Sequence, residues 1–135
     1  MISRRAVWWL VVALIVGCAE RERVTFPTDT GNNGDGVGPV TSIDKPGALD
    51  TVLVEGDPFV LSGHTVDPDG VDTVYFETEG GVSGFPPFIA SSDTVRFGLP
   101  ITTGGLSGAV ITVRVFGVDV LGTHGDTAIR HLTIQ

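Results

Sequence analysis

Ala109-Val110-Ile111-Thr112-Val113-Arg114-Val115-Phe116-Gly117-Val118 places Ile111, Val113 and Val115 at alternate positions, with Thr112 and Arg114 between them. That period of two is what a half-buried β-strand requires, because successive side chains of a strand point to opposite faces; a helix would scatter the same three residues around its circumference. The pattern recurs on both sides of this segment. Thr51–Glu55, Pro58–Thr65, Asp72–Thr78, Phe85–Ala90 and Thr94–Leu99 precede it, and Asp126–Ile134 follows it. The inward rows read Phe59 and Leu61, Val74 and Phe76, Val95, Phe97 and Leu99, and Leu132 and Ile134, while Thr94, Arg96 and Thr133 take the solvent side. No stretch carries a helical period. Seven short strands divided by turn signals predict an all-β fold, a seven-stranded antiparallel β-sandwich over residues 43–135 whose two sheets bury the apolar rows against each other.

The chain has 135 residues, room for one domain. Its first residues belong to another function. Arg4 and Arg5 precede the apolar run from Ala6 to Val16, which Gly17, Cys18 and the charged Glu20-Arg21-Glu22-Arg23 cut short. A membrane-spanning helix needs about 20 apolar residues, so the run reads as the core of a secretory signal peptide, residues 1–17. Ser3-Arg4-Arg5 matches only a fragment of a twin-arginine signal, which leaves general secretion as the expected route. Residues 18–42, centred on Thr28-Asp29-Thr30-Gly31-Asn32-Asn33-Gly34-Asp35-Gly36, have neither period and little to bury, and are expected to form a flexible, disordered tether. A calcium loop is the alternative for those Asp and Asn residues, although Gly/Asn/Asp clusters have loop chemistry enough to explain themselves.

Ile15-Val16-Gly17-Cys18 resembles the lipobox of bacterial lipoproteins, in which the Cys is lipidated and becomes the mature N-terminus. The resemblance implies a membrane anchor on Cys18, and it accounts for a lone cysteine in an oxidising compartment. In that family an Asp after the Cys favours inner-membrane retention; here the position is Ala19, so the outer membrane is favoured. Cleavage would leave 6 basic and 16 acidic side chains, a net charge of −10, which argues against nucleic acid and anionic headgroups as partners.

Gly56-Asp57-Pro58-Phe59-Val60-Leu61-Ser62-Gly63, Val66-Asp67-Pro68-Asp69-Gly70-Val71, Val113-Arg114-Val115-Phe116-Gly117-Val118-Asp119 and the closing Ala128-x-Arg130-x-Leu132-x-Ile134 resemble the immunoglobulin-like modules of bacterial surface proteins, the PKD, cadherin-like and fibronectin-III-type sandwiches. The resemblance implies an Ig-like fold and no activity. With no Cys after Cys18 and no Trp after Trp9, the antibody-type disulfide and its Trp partner are excluded.

Asp67-Pro68-Asp69-Gly70-Val71-Asp72 is the sharpest local motif. Asp67, Asp69 and Asp72 are hard oxygen donors at close spacing and so candidate Ca²⁺ ligands. The segment breaks the EF-hand pattern at Val71 and Asp72, and Asp-Pro-Asp-Gly also suffices as a plain turn. In the cadherin-like modules calcium often sits between domains, and this chain has one. No cofactor is otherwise expected. Phe85-Pro86-Pro87-Phe88 offers Phe85 and Phe88 as candidate binding anchors, against the alternative that the prolines blunt an edge strand while the rings close the core. His64, His124 and His131 have no zinc-motif spacing, neither Gly81-Val82-Ser83-Gly84-Phe85 nor Gly105-Leu106-Ser107-Gly108-Ala109 completes G-x-S-x-G, and Glu77 and Glu79 share a strand face without an evident pocket. A non-catalytic, envelope-anchored adhesion or interaction module is therefore expected, its partner an unknown envelope protein or glycan. The alternative is a structural subunit of an envelope assembly, pairing through an edge strand such as Asp126–Ile134.

Overall fold

The computed structural model describes residues 34–135; Cys18, its lipobox and the signal segment lie outside the described residues. Among those residues there are six strands and no helix: β1 Val40–Lys45, β2 Asp50–Leu53, β3 Phe59–Glu79, β4 Phe88–Ile101, β5 Val110–Asp119 and β6 His124–Ile134. Two mergers and one addition separate this from the seven expected strands. Pro58–Thr65 and Asp72–Thr78 are the two halves of one 21-residue strand, β3. The Asp-Pro-Asp-Gly between them does not reverse the chain. It forms a corner at which pairing with β4 lapses between Val66 and Val71 and resumes in a shifted register, with Gly70 at φ 103°. Phe88–Ala90 of the expected Phe85–Ala90 run and Thr94–Leu99 are parts of one strand, β4, and residues 85–87 precede it. A strand that turns such a corner passes from one side of the core to the other without a loop.

The added strand is β1, which begins at Val40, inside the segment read from sequence as tether. Only Thr41 and Ile43 of β1 point inward, too short an alternation to stand out beside Gly and Pro. The strand order is β1-β3-β5-β6-β2, with β4 also on β3. All pairings are antiparallel except β2 with β6, which is parallel, so the sheet is mixed rather than antiparallel throughout. β1 and β2 stand at opposite ends of this order, yet only Pro46 to Leu49 join them. In a flat sheet the outermost of five strands would be about 19 Å apart, beyond the roughly 18 Å such a link covers fully extended. The sheet must curl, and β1 accordingly touches β5 and β6 without pairing with them.

The curl encloses a single core of Ile43, Leu61, Val71, Val74, Val95, Phe97, Leu99, Ile101, Ile111, Val113, Val115, Leu132 and Ile134. Every inward row read from the alternation is here or packs against it, since Phe59 and Phe76 are partly buried at its rim. Two cross-links fasten the curl. Arg130 of β6 donates through Nη2 to the Ile43 carbonyl (2.7 Å) and through Nε to the Pro46 carbonyl (2.8 Å), and Asp126 Oδ1 accepts from the Thr41 N–H (2.9 Å).

Candidate functional site

The β3 corner lies against the end of β5, because Val71 pairs with Asp119. This register carries Asp67 and Asp69 to Asp119, and one carboxylate oxygen from each lies within 4.8 Å of the others. Asp67 and Asp119 are buried, at 1% and 2% exposure; Asp69 is half-buried. The trio of Asp67, Asp69 and Asp72 expected from the Asp-Pro-Asp-Gly motif is only partly assembled. Asp72 is exposed and accepts from the Thr73 hydroxyl at 2.8 Å, outside the cluster. Alternation explains why: Asp72 is one residue out of phase with the inward Val71, whereas Asp119, 50 residues away from Asp69 in sequence, becomes a neighbour only through the β3–β5 pairing.

Each carboxylate uses one oxygen to hold backbone N–H groups. Asp67 Oδ1 accepts from the Asp69 N–H (2.7 Å), closing the Asx-type corner. Asp69 Oδ2 accepts from the Asp35 N–H (2.8 Å), which ties residues preceding β1 to the corner. Asp119 Oδ1 accepts from both Leu121 (2.8 Å) and Thr123 (2.7 Å) N–H groups and so shapes the β5–β6 hairpin. Burial pushes the Asp119 carboxyl up, but the donors from Thr123, Leu121 and Gly122 outweigh it, and its pKa lies below the ordinary 3.8. The group is thus held ionised. Its second oxygen, Oδ2, is buried and has no hydrogen-bond partner among the described residues.

Phe85 and Phe88 part company. Phe85 packs against the core, while Phe88 opens β4 opposite Val74 and is 50% exposed. Both line a cleft of about 280 Å³ with Pro86, Pro87, Phe76 and Arg96. The outer edge of β4 is unpaired among the described residues, since β4 bonds only to β3. By contrast Asp126–Ile134, the edge suggested by sequence, is not free: β5 lines one side of β6, and β2 covers residues 131–134 on the other. A strand near the chain end reads as an edge only while the parallel return of β2 is unknown. The histidines are dispersed, His64 on Asp44 (2.9 Å), His131 on the Thr112 hydroxyl (3.1 Å) and His124 stacked on Phe116.

No protein-family model matches this chain, and no curated protein matches its sequence. Solved structures do resemble its fold. One is the sialic acid binding region of a Streptococcus sanguinis SK1 adhesin, bound to 3'sLn, with a TM-score of 0.52 and 14% identity over 75% of this chain and 30% of that one. Another is the SrpA adhesin of Streptococcus sanguinis, solved as a point mutant, with a TM-score of 0.50 and 16% identity over 72% of this chain and 57% of that one. The chain therefore spans less than two thirds of either adhesin. At these identities the likeness is one of fold: an all-β domain of the kind found in adhesins.

Proposed function

We propose that the chain is a non-catalytic adhesion module of Ig-like type, exported and held at the cell envelope by lipid on Cys18, whose ligand is a carbohydrate. The observation that carries this reading is the likeness of 75% and 72% of this chain to all-β domains of two adhesins, one of them a sialic acid binding region. The cleft beside β4 supplies the matching chemistry. Phe88 presents an exposed aromatic face for stacking on a sugar ring, and the exposed Arg96 brings donors and positive charge to an otherwise acidic protein. The lipobox-like Ile15-Val16-Gly17-Cys18 supports the anchor.

The test is a glycan array probed with the full chain in detergent. Binding to a defined set of sugars, abolished by Phe88→Ala or Arg96→Ala with the fold intact, is the expected result; no sugar bound, or binding indifferent to both substitutions, removes the reading. Metabolic labelling with a fatty acid checks the anchor, with Cys18→Ser losing the label. A second reading, a structural subunit of an envelope assembly, is favoured by the open edge of β4, which offers unpaired backbone groups to a strand from another protein. Co-purification of a fixed envelope complex, lost on Ser92→Pro in that edge, would select it instead.

A further inference from the structure

The backbone bonds made to Asp67, Asp69 and Asp119 engage three carboxylate oxygens and leave the rest unexplained. Asp67 Oδ1 and Asp119 Oδ1 close their own turns, and Asp69 Oδ2 holds the distant Asp35 N–H. Turn chemistry does not require a second, buried oxygen on Asp119, and no donor among the described residues meets it. Buried polar atoms of that sort are rare, and each calls for an explanation such as an ordered water or a bound ion. Nor does local structure require three acids to gather within 4.8 Å, where their mutual repulsion opposes folding unless a positive charge lies between them.

We propose that Asp67, Asp69 and Asp119 form a divalent-cation site, with Ca²⁺ the ion that fits it. The donor set is hard oxygen only, without the nitrogen or sulfur that would favour zinc or copper. Ca²⁺ takes six to eight oxygens at about 2.3–2.6 Å in irregular geometry, so two oxygens on one ion stand at most about 5 Å apart, a span this cluster meets. Water and main-chain carbonyls complete the shell. An ion there would bind the β3 corner to the β5–β6 hairpin, and through Asp69 to Asp35 it would also fasten the segment that leads into β1. The site makes no use of the β4 cleft and does not depend on the adhesion reading.

The experiment is calorimetric titration of CaCl₂ into the full chain, purified in detergent and stripped with EDTA, together with melting curves in EDTA and in Ca²⁺. One ion per chain is expected, with affinity in the range of extracellular modules, about 0.1–1 mM, and a higher melting temperature in Ca²⁺. Asp119→Asn keeps the shape, removes a charge, and should weaken binding more than about tenfold. Asp69→Asn should do the same, and it serves where Asp119→Asn fails to fold, as its melting curve in EDTA will show. Asp72→Asn should bind as the unmodified chain does. Absence of heat and of any melting shift at about 10 mM Ca²⁺ overturns the site, as does unweakened binding by Asp69→Asn and Asp119→Asn, or an equal loss in Asp72→Asn. Mg²⁺ binding as tightly as Ca²⁺ overturns the choice of ion.

Discussion

Arg130 is half-buried, and its planar fork reaches three backbone carbonyls, those of Ile43, Pro46 and Ile129, at 2.7, 2.8 and 2.8 Å. Two of these belong to the far side of the curl, so the side chain ties β6 to the end of β1. Hydrogen bonds to a charged donor contribute about 1.5–3 kcal/mol each, and Arg130→Met should lower stability in urea by about 2–4 kcal/mol. Arg130→Lys should restore less than half of that, because an ammonium cannot reproduce the fork; a Lys variant as stable as the parent would refute the role. Asp119 acts through charge. Its pKa is lower in the folded protein than the ordinary 3.8, so its contribution is complete above that value and is lost as pH falls through the lowered pKa. In EDTA, the stability difference between the parent chain and Asp119→Asn should shrink as pH drops below 3.8; a difference that stays constant or widens in acid would contradict this. Neither residue's role was legible in the sequence. Arg130 lay in a loose closing motif and Asp119 at the end of a strand, and both depend on partners far along the chain that only the register of the sheet identifies.

At the scale of the elements, alternation revealed the faces of the strands but not their ends. Leu61, Val74, Val95, Ile111 and Leu132 are buried as their parity requires, because a face is fixed by period two regardless of where pairing starts. Strand number failed at Asp67-Pro68-Asp69-Gly70, whose composition serves equally for a reversal and for a corner. Pairing decides between them: β4 and β5 both flank β3 beyond the corner, so the chain gains more by continuing than by turning back. Gly70 makes the corner possible at φ 103°, a conformation costing a side-chain-bearing residue about 1–3 kcal/mol. An added Cβ would meet only Val120 Cγ1, at the ordinary contact distance of 3.5 Å, so Gly70→Ala should be destabilising by that backbone cost alone. Gly98 offers the comparison, since its Cβ would touch Val60 Cγ1 at the same 3.5 Å without a positive φ. Gly98→Ala should leave the urea midpoint nearly unchanged. Equal losses in both variants would place the cost in packing rather than in the corner's backbone.

For the whole molecule, the decisive feature is that the sheet curls until β1 packs against β5 and β6. The sequence suggested two facing sheets; a curled sheet buries the same apolar rows, so hydrophobic pattern alone does not choose between them. The choice is made by β1 and the residues before it; its first half, Val40 to Ser42, and the preceding residues fall within the tether expected over 18–42, being short, polar and rich in glycine. Those residues are nonetheless fixed at several points. Pro39 is fully buried, the Thr41 N–H bonds Asp126, the Thr41 and Thr65 hydroxyls meet inside at 3.1 Å, and the Asp35 N–H bonds Asp69. If the domain began at residue 43, deleting residues 34–42 would do nothing to its melting. If β1 closes the curl, the deletion uncovers Thr65 and the flank of β3, leaves Asp126 without its donor, and should lower the melting temperature by about 10 °C or more, since each kcal/mol moves a domain of this size by about 4–8 °C. Differential scanning calorimetry of the full chain and the deletion, both in EDTA, separates the two. An unchanged midpoint would return β1 to the tether and leave the first half of β3 paired with β4 alone.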